Sequence, residues 1–219
     1  MTACRKISRT EFDRWCTEGK CLDPKHGFPA VILHPDDTVT KVWARPQRLL
    51  SSSRWRPYAT RFVDNARRLG ELGIKVPEIL DYGRLEGSHV RIVRYCSLPG
   101  TSIRELLKTD PGQVDVPSLA RFYLRLHELG VGFRSGHLGN IIQMPDGDHG
   151  LIDFSNLELS KSPLDLTARG KNLANPLRYK EDINLMKEAG LPDLVECYCE
   201  AAELNEVDAG TIASLASRG

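Results

Sequence analysis

Apolar positions recur along this chain with two different periods, and the change from one to the other divides it. Between residues 28 and 43, two β-rich runs flank His34-Pro-Asp-Asp37, a string of turn formers, which predicts a hairpin. Its second strand sets Val39, Lys41 and Trp43 on one face and Thr40 and Val42 on the other, so a lysine stands among apolar neighbours. From Tyr58 to Leu72 the period becomes helical, with Tyr58, Phe62, Ala66, Leu69 and Leu72 on one stripe and Arg61, Arg67 and Arg68 off it. Gly70 and Gly73 loosen the end of that helix, Ile74-Lys-Val-Pro77 starts an extended segment, and Leu85-Glu-Gly87 turns into a β-rich run at His89–Tyr95. The expected product is a small sheet crossed by one helix.

Pro99-Gly100 interrupts the pattern and sets a boundary between residues 1–98 and 99–219. Pro117 then opens a helix with Leu119, Phe122, Tyr123, Leu126 and Leu129 on one face, and Gly130 ends it. Two short apolar runs around Pro145-Asp-Gly-Asp148 predict a second hairpin. Helical patterns follow at 181–189 and 192–205, with a weak one at 208–217. The fold class is α+β, with a β-rich first part and a mainly helical second. No internal repeat or low-complexity tract is present.

With 219 residues the chain can bury a core without staples, and 30 Lys and Arg against 29 Asp and Glu give no overall pull toward nucleic acid or membrane. Six cysteines lie scattered without zinc-ligand spacing, and no apolar signal segment precedes them, so they read as reduced thiols in a cytoplasmic protein. Cys16 and Cys21 near His26 suit packing better than chelation. Arg5, Lys6 and Arg9 read as a solvated basic face.

The chemistry concentrates in Phe133-Arg-Ser-Gly-His-Leu-Gly-Asn140 and, across the predicted hairpin, Gly150-Leu-Ile-Asp-Phe154. In phosphoryl-transfer sites an Asn ending a loop and an Asp one short hairpin later hold Mg²⁺, and both residues here are the oxygen donors that ion requires. Asn140 and Asp153 fit those roles. Five residues before Asn140, where such a loop carries the carboxylate that takes the acceptor's proton, stands Ser135. A serine cannot do that work near neutral pH without its own base; His137, two residues on, is the alternative base.

Taken together, the hairpin with Lys41, the helix, the Pro-Gly break and the segment from Leu126-His-Glu-Leu-Gly-Val131 to Asp153 resemble the protein-kinase-like superfamily. Within it they resemble the bacterial lipopolysaccharide core sugar kinases, and more narrowly the toluene-tolerance proteins of pseudomonads, whose loop is similar to Phe-Arg-Ser-x-His-Leu-Gly-Asn. The resemblance covers residues 28 to 180 or so and implies a two-lobed kinase-like fold, with a small β-rich N-lobe and a mainly helical C-lobe. It implies ATP and Mg²⁺ as cofactors, with Lys41 on the α- and β-phosphates and Asn140 and Asp153 on the metal. Where the family pattern has a helix Glu to orient the lysine, this chain offers Asp64 and Asn65. Arg169, Lys171 and Arg178 match an Arg-rich helix that would hold an acidic sugar or phosphate.

The implied activity is phosphoryl transfer to a lipopolysaccharide core sugar, heptose or Kdo, small or lipid-linked, at or near the cytoplasmic face of the inner membrane and without nucleic acid. The sequence departs from kinases in lacking GxGxxG before Val31, the glycine of DFG after Asp153 and an APE element, which disfavours protein substrates. Ser135 keeps open the alternative of a pseudokinase that binds nucleotide or a partner without turnover. An aminoglycoside-type phosphotransferase fits less well, because its loop normally keeps the Asp.

Overall fold

The computed structural model describes residues 4–44 and 57–217, and the chain divides into two compact units, Met1–Leu98 and Pro99–Gly219. The first is built on a six-stranded sheet of β1 (Arg5–Ile7), β2 (Lys20–Leu22), β3 (Val31–Leu33), β4 (Thr38–Trp43), β5 (Ile79–Leu85) and β6 (Arg91–Cys96), in the order β1-β5-β6-β4-β3-β2. Its pairings are antiparallel except for β1 beside β5. Helix α1 (Arg9–Glu18) covers one face: Phe12 and Trp15 join Ile7, Ile32, Val42, Leu85, Val90 and Ile92 in a buried core. Helix α2 (Tyr58–Glu71) lies on the other face, where Phe62 packs its ring against Trp43 and Tyr95 at centroid distances of 5.7 and 5.4 Å.

The sequence reading had one helix on this sheet, and the structure has two. Ser8 caps α1 by accepting a hydrogen bond from the Glu11 amide, which satisfies one of the unpaired donors of the first turn. The N-terminal basic residues Arg5, Lys6 and Arg9 are exposed, as the sequence reading expected. Arg5 is ion-paired with both Glu11 and Asp81, which ties α1 and β1 to β5, and Arg9 pairs with Asp13. All six cysteines are free thiols, and no cluster of three or more His, Cys, Asp or Glu side chains is placed to hold a metal among the described residues.

The second unit is mainly helical: α3 (Ile103–Thr109), α4 (Val116–Glu128), α5 (Leu166–Leu173), α6 (Lys180–Glu188), α7 (Leu194–Ala201) and α8 (Glu206–Ala216). Short strands thread between them. β7 (Thr101–Ser102), β9 (Ile141–Gln143) and β10 (His149–Leu151) form one small sheet, and β8 (Val131–Phe133) pairs with β11 (Leu157–Leu159) in another. Asp115 caps α4, and Gly130 ends it in a left-handed conformation (φ 73°) so tight that a Cβ would lie 2.6 Å from the Ser162 carbonyl oxygen. No helix among the described residues is long and apolar enough to cross a membrane.

A buried polar network fixes β8 just ahead of the chemically interesting loop. His127 is fully buried; its Nδ1 lies 2.8 Å from the Tyr198 hydroxyl and its Nε2 3.1 Å from the Asn172 side-chain oxygen. That oxygen can only accept, so Nε2 carries the proton and Tyr198 donates to Nδ1, a neutral imidazole with both nitrogens satisfied. The Asn172 oxygen also takes the Phe133 amide, while Asn175 Nδ2 donates to the Phe133 carbonyl.

Burial pulls His127 down from 6.5 to about 4, outweighing the opposing Asn172 bond. Because the unfolded chain binds that proton more readily, the stability this group contributes is complete above pH ~6.5 and is lost as pH falls toward ~4, about 3 kcal/mol in all. Urea unfolding of the wild-type protein should therefore weaken steeply over that window. His127→Gln, though less stable at pH 7, should show a flatter profile there.

Candidate active site

Helix α4 and strand β8 deliver the chain into the loop, and the buried Tyr123 hydroxyl of α4 donates to the Gly136 carbonyl at 2.5 Å. A tight turn follows, with the Gly136 amide on the Phe133 carbonyl, and the Asn140 amide on the His137 carbonyl closes a 3-10 turn over Leu138–Asn140. Asn140 is buried, and its Nδ2 donates to the Ser135 main-chain carbonyl at 2.8 Å. With the amide nitrogen so engaged, its side-chain oxygen is left as the donor to a cation.

The β9–β10 register pairs Ile141 with Leu151, and one step further the Ile152 amide donates to the Asn140 carbonyl at 3.0 Å. Asp153 therefore follows directly on the residue bonded to Asn140. It is half-buried and left-handed (φ 55°, ψ 47°), a conformation that costs most residues about 1 kcal/mol and that Asp tolerates better than most. The fold thus sets Asn140 and Asp153 at the base of one hairpin. A hard divalent cation such as Mg²⁺ fits this donor set, since it keeps several waters and needs only one or two carboxylate-type protein ligands. The hydroxyl of Ser155, two residues past Asp153, is buried and unpaired.

Ser135 is half-exposed in the turn, and beside it the exposed Arg134 pairs with Glu158. His137 has its Nδ1 buried and unpaired, and its ring stands edge-on to Tyr179 at 5.3 Å. Burial, and next the positive charge of Arg104, hold its pKa below the ordinary imidazole value against the pull of Asp182 and Asp153. It is neutral at pH 7, and a depressed pKa makes it a weaker proton acceptor than an ordinary histidine.

The three basic residues expected to hold substrate are dispersed. Arg178 is exposed, bonds Asn175 and lies near enough to the loop for its charge to act on His137. Arg169 bonds the Leu164 carbonyl and touches Tyr198, on the side of the buried network, and Lys171 is exposed on α5.

In the first unit, Lys41 shares its strand face with Trp43, its ammonium 5.5 Å from that ring's centroid and 5.7 Å from that of Phe62. Asn65, one turn on from Phe62, is buried on the sheet side of α2. Asp64 instead lines a cavity of about 640 Å³ with Thr60, Arg67, Glu78 and Tyr82.

Sequence reasoning missed a second cluster. Asp182, fully buried near the start of α6, receives a fork from Arg104 of α3: Nε to Oδ1 at 2.9 Å and Nη2 to Oδ2 at 2.7 Å. The guanidinium also lies 4.3 Å over the Tyr179 ring. Nothing in the local pattern distinguishes Asp182 from a solvated first-turn acid.

No protein-family model matches the chain, and no curated protein matches it in sequence. Among solved structures it is similar to monomeric WbdD, with a TM-score of 0.49 and 16% identity over 86% of this chain and 44% of that one. WbdD co-crystallised with a kinase inhibitor gives 0.47 and 16% over 86% and 42%, and the bifunctional kinase-methyltransferase WbdD 0.45 and 15% over 85% and 47%. The chain spans less than half the length of each of these.

Proposed function

We propose that this chain is a protein-kinase-like phosphotransferase dependent on ATP and Mg²⁺, acting on a lipopolysaccharide core sugar, with a loop that has lost its usual base. The observation that supports the reading is the hydrogen bond from the Ile152 amide to the Asn140 carbonyl, which sets residues 140 and 153 at the base of one hairpin. When bound, Mg²⁺ would neutralise charge on the β- and γ-phosphates. Asn140 and Asp153 would hold that ion, and Lys41 would give the nucleotide a further cation. Arg178, near the loop, serves the acceptor better than Arg169 or Lys171.

Phosphoryl transfer through a loose transition state leaves the acceptor's proton in place until late, so a missing carboxylate slows turnover without removing it. His137, with its lowered pKa and buried Nδ1, is a poor substitute. The second reading, a nucleotide-binding pseudokinase, is favoured by Ser135 itself. Calorimetric titration tests what the two share: ATP should bind with Mg²⁺ and bind much more weakly in EDTA, and equal affinity in both would remove the metal assignment. Mass spectrometry of core oligosaccharide from cells with and without the gene separates them, since only the enzyme's loss removes a phosphate.

A further inference from the structure

We infer that Arg104 is a positioning residue for the metal ligand Asn140, acting through Gly139. Asp182 is fully buried, and a buried carboxylate without a partner is strongly unfavourable, so it locks the Arg104 fork in place. The fork uses Nε and Nη2; Nη1 takes no part in it. That third nitrogen lies against Gly139, where a Cβ would come within 2.9 Å of Nη1 and 3.2 Å of the buried His137 Nδ1. An ordinary long side chain would swing away from such a contact. This one is pinned on one edge by Asp182 and on one face by the Tyr179 ring.

Gly139 is the residue before Asn140 in the 3-10 turn whose pitch, with the Ser135 carbonyl, aims the Asn140 amide. Arg104 and Asp182 thus join α3 and α6 to the turn that presents the ligand. Partners of this outer kind typically alter metal affinity by about 10- to 100-fold when changed.

The inference rests on reading Asn140 and Asp153 as metal ligands, and the probe is Mn²⁺ titrated with ATP present, followed by electron paramagnetic resonance. Arg104→Lys keeps a cation for Asp182 but removes Nη1. Gly139→Ala keeps the fork but adds the colliding Cβ, and its backbone is not left-handed, so the collision is the whole perturbation.

Each variant should lose about 10-fold or more in Mn²⁺ affinity while ATP binding in EDTA stays as in wild type. In the Arg104→Lys background, Gly139→Ala should add less than it costs alone, because the nearest atom it strikes is gone and only the looser contact with His137 Nδ1 remains. Unchanged Mn²⁺ affinity in Gly139→Ala, or fully additive losses in the double variant, overturns the inference. If Arg104→Lys does not fold, Gly139→Ala alone decides. Should wild-type protein bind no Mn²⁺, the metal reading itself fails and the positioning role with it; wild-type binding with indifferent variants sinks only the positioning role.

Discussion

Asp153→Ala is expected to abolish the Mg²⁺-dependent part of ATP binding, a loss of at least about 10²-fold, beyond what outer partners of a metal site usually cost. Lys41→Ala should weaken binding less. On the proposed reading the metal neutralises charge on two phosphates at once, whereas the lysine adds a single cation. Alanine at position 153 also forgoes the tolerance of Asp for a left-handed backbone (φ 55°), so part of its effect will be lost stability. Asp153→Asn removes that ambiguity, because Asn adopts this conformation readily and keeps an oxygen while losing the charge. Thermal shifts with Mg-ATP, each referred to the same variant without nucleotide, compare the three. A wild-type shift in Asp153→Asn and Asp153→Ala together would mean that the hairpin holds no metal.

The second large effect concerns position 135. If the chain is a slow kinase, Ser135→Asp supplies the missing carboxylate and should raise turnover within the usual range for a general base, about 10²- to 10⁴-fold. The substitution is structurally mild: Ser135 is half-exposed, and the bond its residue makes to Asn140 comes from the main-chain carbonyl, which aspartate retains. If the chain is a pseudokinase, turnover stays at background. A fall in a measurable activity would assign Ser135 to a different chemistry. Single-turnover phosphate transfer to isolated core oligosaccharide, with His137→Ala in parallel, reads out all three, and activity surviving His137→Ala excludes that histidine as an essential base.

Short-range patterning made much of the architecture readable. The hairpin around His34–Asp37, the amphipathic α2, the helix ending at Gly130 and the hairpin beneath Asn140 and Asp153 each declare themselves through period, turn residues and caps. The run expected to be helical from 192 to 205 stops at Ala201, where Glu203 turns left-handed and Asn205 starts the next helix as its cap. Helix α1 escaped notice although Ser8 and Glu11 stand at capping distance, because its apolar side is only Phe12 and Trp15, too few for a periodic stripe. The Arg104–Asp182 pair was out of reach for another reason. Its partners stand 78 positions apart, and burial of a charged side chain is decided by tertiary packing. The dispersal of Arg169 and Arg178 over different surroundings likewise depends on how α5 packs, which composition cannot express.

The bond from Asn140 Nδ2 to the carbonyl of Ser135 has a bearing on how such a loop tolerates change. It closes the loop through the backbone of residue 135, so the aim of the Asn140 oxygen is indifferent to the side chain carried there. On the proposed reading, a loop built this way can exchange the group facing the acceptor without disturbing the one facing the cation. Binding a nucleotide and transferring its phosphate would then be separable traits of a single eight-residue segment, Phe133 to Asn140, parted by substitution at one position.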